Sequence, residues 1–225
     1  MIKLVIFDFD GLILDTETPD FVSWQEIYSE HGVELTLDAW AHCIGARAGV
    51  FDPIAHLASL TGIHPDRDSI EARRRSRFFQ LVEEETLRPG VREYLDSAPR
   101  LGVQLAVASS ATREWVEGHL TRFGILDRFD CIKCVEDVEH AKPEPDLFLA
   151  ACRALRVGPQ GAIVLEDSPN GLLAANRAGI FAVAVPNSVT ASLHLGHADL
   201  TIPSLSDCPL GDLIERVNET VTKRR

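Results

Sequence analysis

Short apolar runs alternate with amphipathic stretches along most of the chain. The apolar runs are bounded by glycine, proline or polar clusters, which is typical of buried parallel strands. We predict strands at residues 3–9, 103–108, 130–135, 162–165 and 180–185. Apolar positions at helical spacing predict helices at residues 113–123, 146–155 and 169–178. This alternation predicts an α/β fold with a Rossmann-like parallel sheet covered by helices.

The segment of residues 16–86 breaks the alternation. It contains amphipathic helix patterns at residues 21–31 and 70–85 but no strong strand pattern. A Pro-Gly pair at residues 89–90 marks the point where the α/β pattern resumes. We therefore predict an α/β core formed by residues 1–15 and 87–225, and an inserted all-helical cap domain formed by residues 16–86. The two connections between them could act as hinges.

The composition argues against several classes of protein. A formal net charge of −12 over 225 residues disfavours nonspecific binding to nucleic acid or to anionic membranes, because both reward a basic surface. The apolar run at residues 2–9 is far shorter than the roughly 20 residues that span a bilayer. Carboxylates follow too early for a signal peptide, and five cysteines form no disulfide framework. We expect a cytoplasmic monomer in which Cys131 and Cys134 are ordinary thiols.

Three aspartates lie at or just after the carboxyl end of the first predicted strand. Asp8 and Asp10 lie two residues apart, which directs both carboxylates to one side as the chain leaves the strand, and Gly11 permits the following turn. Ligands of open α/β sheets bind at this carboxyl edge. Repulsion between the carboxylates is costly unless a cation neutralises it. Acidic residues also end strands for structural reasons, but three aspartates, the third being Asp15, favour a functional site.

A second acidic pair, Glu166 and Asp167, ends the fourth predicted strand and precedes a Ser-Pro pair that opens a helix. Hard oxygen ligands suit Mg²⁺, which takes one or two protein carboxylates and completes its shell with water and substrate phosphate. Taken alone, the pair serves equally well as helix caps. Together with Asp8 and Asp10, it favours a metal site.

Two further segments of the α/β pattern carry polar residues. Ser109 and Ser110 lead from the second strand into a helix, where a hydroxyl and backbone N–H groups can hold an anion. A serine helix cap without a ligand is an equal alternative. Lys142 precedes Pro143, which keeps it outside the next helix. A lone lysine is usually solvated, but its place in the α/β series favours a role at the same site.

These segments, Asp8-x-Asp10-Gly11-x-x-x-Asp15, Ser109, Lys142 and Glu166-Asp167, resemble the four ordered motifs of the haloacid dehalogenase superfamily. In their spacing and order, the four motifs extend over essentially the whole α/β core. The four together are far more specific than any one of them. The helical insert after the first motif resembles the cap of the β-phosphoglucomutase-like and phosphoglycolate-phosphatase-like branch.

The resemblance implies a reaction and a role for each residue. Asp8 would be the nucleophile that forms an aspartyl-phosphate, and Asp10 would be the general acid and base. Mg²⁺ would be bound by Asp8, the Asp10 backbone carbonyl and Asp167, with Glu166 as a further candidate ligand. The phosphoryl oxygens would be held by Ser109, Ser110 and Lys142. The implied function is Mg²⁺-dependent hydrolysis of a small phosphorylated metabolite, such as a sugar phosphate.

Rival functions differ at particular positions. The dehalogenase branch lacks the second aspartate, so Asp10 favours phosphoryl transfer. β-Phosphoglucomutases generally carry a cap histidine just after the first motif, where this chain has Pro19 and Asp20, and this favours a phosphatase over a sugar phosphate mutase. A non-catalytic binding module of the same fold is disfavoured because every catalytic position is filled.

Substrate choice is expected to lie in the helical insert. Gly45 and Arg47 fall in a predicted loop between helices, where Arg47 could reach the leaving group or a second phosphate. The arginine-rich run at residues 73–77 could contribute one side chain. The favoured interpretation of that run is a solvated helix face balanced by Glu71 and by the acidic residues 83–85.

Overall fold

The computed structural model describes residues 1–41 and 51–223. Its strands are β1 (Leu4–Phe7), β2 (Gln104–Ala108), β3 (Cys131–Lys133), β4 (Ala162–Glu166), β5 (Phe181–Ala184) and β6 (Leu200–Thr201). Its α-helices are α1 (Glu17–Glu30), α2 (Leu37–Trp40), α3 (Pro53–Thr61), α4 (Arg67–Glu84), α5 (Val91–Leu101), α6 (Arg113–Arg122), α7 (Asp146–Leu155), α8 (Pro169–Arg177) and α9 (Leu210–Lys223). All five predicted strands and all three predicted α/β helices are present, with ends that differ by up to two residues.

The strands form one parallel sheet in the order β3-β2-β1-β4-β5-β6. Strand β1 is central, and Leu4 pairs in register with Gln104 of β2 and with Ala162 of β4. All four residues of β1 are fully buried, as expected for a parallel strand with both faces covered. The predicted α/β fold with a Rossmann-like parallel sheet is confirmed. Strand β6 was not predicted, because its two residues are too short to produce a pattern.

Tertiary contacts divide the chain into two compact units. The core unit comprises Met1–Leu14, Leu87–Pro186 and His194–Arg225, and the helical unit comprises Asp15–Thr86 and Asn187–Leu193. The function of the helical unit as a cap stays a prediction. Among the described residues, no helix is both long and apolar enough to cross a bilayer.

Within the helical unit, α4 packs along α1, and ion pairs join the two helices. Arg74 Nη1 lies 2.5 Å from Asp20 Oδ1, Arg77 Nε lies 2.9 Å from Glu26 Oε2, and Arg73 pairs with Glu30. The arginine run is therefore neutralised mainly by acids of α1. Among the acids expected to balance it, Glu71 lies 4.0 Å from Arg74. Sequence patterns reveal only charges that are close along the chain. The acidic partners on α1 lie 43 to 54 positions from their arginines in the sequence, so these ion pairs could not be predicted.

Residues 187–193 belong to the helical unit although they follow β5 along the chain. Val189 is buried in the same apolar cluster as Trp24, Tyr28 and Trp40. Its segment is a tight turn, because Asn187 Oδ1 accepts hydrogen bonds from the N–H groups of Val189 at 3.0 Å and Thr190 at 2.9 Å. The helical unit thus draws on a piece of chain beyond the predicted insert of residues 16–86.

Candidate active site

The candidate site lies at the carboxyl edge of the sheet, where β1 and its two neighbours end. Asp8 follows β1, and its backbone N–H donates to the Leu165 carbonyl of β4 at 3.0 Å. Ser109 follows β2, and Glu166 is the last residue of β4. Because β1 pairs in parallel with both β2 and β4, these polar residues reach the same edge. This is the edge at which open α/β sheets bind their ligands.

Lys142 joins two of the acidic residues. Its Nζ lies 2.5 Å from Asp8 Oδ1 and 2.7 Å from Glu166 Oε1. The lysine side chain is only 7% exposed, and that of Glu166 is fully buried. Buried charges of this kind are stabilised only when they are paired and hydrogen-bonded. The segment just before α7 therefore places an ammonium between the ends of β1 and β4.

Glu166 is held from its other side as well. Its Oε2 accepts hydrogen bonds from the backbone N–H groups of Asp167 at 3.0 Å and Ser168 at 2.9 Å, and from the Ser168 hydroxyl at 2.9 Å. The Ser168 oxygen also accepts from the Gly171 N–H at 3.1 Å, so Ser168 is the N-cap of α8, the helix that the Ser-Pro pair is predicted to open. The start of α8 thus fixes the carboxylate that holds Lys142.

Asp8, Glu166 and Asp167 form a buried acidic cluster in which one carboxylate oxygen of each lies within 4.8 Å of the others. Burial, followed by the neighbouring Glu166 carboxylate, raises the pKa of Asp8 to about 7 against the opposing effect of Lys142. Burial alone would lower the pKa of Lys142, but Asp8 and Glu166 raise it above its ordinary value. Three carboxylates beside one ammonium leave an excess of negative charge, and these hard oxygen donors fit a divalent cation such as Mg²⁺.

The side chain of Asp10 has different partners. Its Oδ1 accepts a hydrogen bond from Trp115 Nε1 at 2.9 Å, and its Oδ2 accepts from the Ser109 hydroxyl at 3.4 Å. Gly11 adopts a φ of 74° immediately afterwards, a backbone conformation that favours glycine. Asp10 is thus held by the loop after β2 and by α6, apart from the acidic cluster.

The structure brings together several of the residues predicted for the site. Asp8, Lys142, Glu166 and Asp167 lie in one group, whereas Asp10 and Ser109 contact each other beside it. Ser110 is exposed on the same loop as Ser109, and its phosphate-binding role stays a prediction. Gly45 and Arg47 lie outside the described residues. The catalytic and ligand roles of all these residues stay predictions.

Trp115 is a contact of the site that sequence reasoning missed. In a helical segment its large ring is indistinguishable from an ordinary packing residue. The contact depends on how α6 is placed beside the end of β1, which no local pattern reveals. The only available signal was its position in the first turn of the helix that follows Ser109 and Ser110.

Comparison with known proteins identifies the family. The family model described as "Haloacid dehalogenase-like hydrolase" matches residues 5–185. The chain is 43% identical to "Putative phosphatase YhcW" of Bacillus subtilis, over 97% of this chain and 99% of that protein. The chain therefore belongs to the haloacid dehalogenase-like hydrolase family, and the predicted resemblance is confirmed.

Two further relatives cover nearly the whole chain. "Validoxylamine A 7'-phosphate phosphatase" of Streptomyces hygroscopicus subsp. limoneus is 32% identical, over 92% of this chain and 96% of its own. A crystal structure of β-phosphoglucomutase (pgmB) from Clostridium difficile is 25% identical and has a TM-score of 0.73, covering 99% of this chain and all of that one. The chain is similar both to proteins named as phosphatases and to a mutase.

Proposed function

We propose that this enzyme is a Mg²⁺-dependent phosphatase that hydrolyses small phosphorylated metabolites, such as sugar phosphates, through an aspartyl-phosphate on Asp8. One observation carries the proposal: the buried carboxylate of Asp8 lies against the Lys142 ammonium, within a cluster of two further carboxylates at the carboxyl edge of the sheet. The relatives named as phosphatases, one of them a validoxylamine A 7'-phosphate phosphatase by its name, support the choice of reaction.

Mg²⁺ would be held by Asp8, Asp167 and the backbone carbonyl of Asp10. Glu166 belongs to the same cluster, but its two oxygens already accept four hydrogen bonds. We therefore assign to Glu166 chiefly the task of holding Lys142. When bound, the cation would offset the repulsion between the carboxylates and an incoming phosphate and would polarise the phosphoryl group.

The chain's own residues account for the proton and charge transfers. The Asp8 carboxylate attacks phosphorus as the bond from phosphorus to the ester oxygen breaks, and Asp10 gives a proton to that departing oxygen. Asp10 then takes a proton from a water molecule, whose oxygen attacks the phosphorus of the aspartyl-phosphate and restores the Asp8 carboxylate. Lys142 stabilises negative charge on the equatorial oxygens throughout. Groups in such roles typically contribute factors of about 10² to 10⁴.

A mutase is the second candidate, because the C. difficile β-phosphoglucomutase covers 99% of this chain with the same fold. It is disfavoured by the side chains at the start of α1. Pro19 and Asp20 stand where the mutases generally carry a cap histidine, and the Asp20 carboxylate is engaged by Arg74. An imidazole exchanges protons near neutral pH, whereas the Asp20 carboxylate is held as an acceptor by the Arg74 guanidinium.

The proposal is tested by phosphate release from p-nitrophenyl phosphate and from a panel of sugar phosphates. Activity should vanish with chelator, return with Mg²⁺, and be absent from Asp8→Asn, because an amide is nearly isosteric but a poor nucleophile. Asp127→Asn, at an exposed position of the core unit, should retain full activity. Beryllium fluoride should give a bound fluorine resonance in wild-type protein and none in Asp8→Asn. Turnover that survives Asp8→Asn would refute the proposal.

A further inference from the structure

Trp115 is fixed at the start of α6. The helix begins after Thr112, whose side-chain oxygen accepts a hydrogen bond from the backbone N–H of Trp115 at 3.4 Å. The indole packs edge-on against the ring of His119, with 4.2 Å between ring centroids. His119 is buried and stacks in turn on Phe9, the residue between the two motif aspartates. The ring is thus positioned both by its own helix and by the chain that follows β1.

The indole is placed to orient one carboxylate. An indole N–H can only donate, and a carboxylate is its natural acceptor. Its bond to Asp10 Oδ1, at 2.9 Å, is shorter than the 3.4 Å bond from the Ser109 hydroxyl to Asp10 Oδ2. Of these two side-chain donors, Trp115 therefore gives the stronger restraint on the orientation of Asp10.

We infer that Trp115 is a positioning residue for the proton transfers of Asp10. This inference rests on the proposed function, in which Asp10 protonates the departing oxygen. A general acid contributes only when it lies within hydrogen-bonding reach of that oxygen, and small misplacements are costly. The indole N–H of Trp115 holds Oδ1 and so fixes the plane of the Asp10 carboxyl group. The direction in which Oδ2 presents its proton is thereby fixed as well.

The consequence depends on the leaving group. A weakly basic oxygen such as p-nitrophenolate departs without a proton, whereas the more basic phenolate gains from a general acid. The ratio kcat/KM reports only the steps up to departure of this group, so the later hydrolysis of the aspartyl-phosphate does not enter it. Loss of the indole N–H should therefore reduce kcat/KM for phenyl phosphate much more than for p-nitrophenyl phosphate.

The test is Trp115→Phe, which keeps an aromatic ring and removes the donor. We expect kcat/KM for phenyl phosphate to fall about tenfold or more, because the lost hydrogen bond would stabilise the negative charge that Asp10 gains as it gives up its proton, with a change of less than about threefold for p-nitrophenyl phosphate. Because both rates come from one protein sample, partial misfolding cancels in their ratio. Trp115→Gln, which restores an N–H donor, should recover part of the phenyl phosphate activity.

A double-mutant cycle with Asp10→Ala completes the test. In the Asp10→Ala background, Trp115→Phe should no longer change the ratio between the two substrates. An equal fall for both substrates, a selective rise for phenyl phosphate, or an unchanged effect without Asp10 would each overturn the inference. The proposed function fails separately, if wild-type protein hydrolyses neither aryl phosphate with Mg²⁺ present.

Discussion

The carboxylate of Glu166 occupies the space that a side chain at Gly171 would need. A Cβ atom on Gly171 would lie 1.7 Å from Glu166 Oε1 and 1.9 Å from its Cδ. We predict that Gly171→Ala displaces Glu166 and, with it, Lys142. A displacement of about 1 Å at a catalytic group can cost about 10² in rate. We therefore expect kcat/KM for p-nitrophenyl phosphate to fall by about that factor.

Gly118→Ala is the matched control, since Gly118 also lies within a helix but a Cβ there meets no atom within 4 Å. That change should leave activity intact and stabilise the protein by about 0.5–1 kcal/mol, because alanine favours the helix. Full activity in Gly171→Ala would show that the position of Glu166 does not control the site.

The raised pKa of Asp8 predicts how pH affects the metal-free protein. Between the ordinary value of 3.8 and about 7, the folded state holds a proton that the unfolded chain has released. Asp8 therefore lowers the free energy of unfolding as pH rises through this window. Lys142 is protonated in both states over this range, so it adds no dependence there.

Urea unfolding in chelator at pH 5 and at pH 8 measures this effect. The change in stability on Asp8→Asn should be more favourable at pH 8 than at pH 5, because the amide cannot ionise. Adding Mg²⁺ at pH 8 should stabilise wild-type protein more than Asp8→Asn. A mutational effect that is the same at both pH values would contradict the raised pKa.

The burial of Val189 predicts that the helical unit, and not the core unit, depends on residues 187–193 for its stability. It is 3% exposed and belongs to the apolar cluster of the helical unit. Val189→Ala should destabilise by about 2 kcal/mol through lost burial and a residual cavity. Amide hydrogen exchange should show the loss of protection in α1 and α4.

The control is Val185→Ala, because Val185 is equally buried but lies in the core unit. That change should instead reduce the amide protection of β5. Unchanged exchange of α1 in Val189→Ala would contradict this assignment.

The parts predictable from sequence are those that local patterns encode. Buried strands give continuous apolar runs, so β1 and β4 could be located, and parallel pairing then places Asp8 and Glu166 at one edge. Contacts between distant segments leave no such pattern. The partners of the arginine run lie on α1, and Val189 joins the helical unit from a short polar stretch. Trp115 reaches Asp10 across 105 positions, so only the folded chain reveals it.

The last prediction separates hydrolysis from mutase activity. A phosphatase must admit water to the aspartyl-phosphate, whereas a mutase must exclude water until the sugar has reoriented. Since Asp20 is tied to Arg74 and no histidine stands beside it on α1, we expect phosphate release from several sugar phosphates and negligible interconversion of glucose 1- and 6-phosphates. Arg47→Ala should mainly raise KM or change the substrate ranking, as expected for a contact that is similar in the ground and transition states. Arg67→Ala is the control, because Arg67 forms an exposed ion pair with Asp52. That change should affect neither KM nor the substrate ranking. If glucose 1-phosphate with a bisphosphate primer gave glucose 6-phosphate faster than free phosphate appeared, the enzyme would be a mutase.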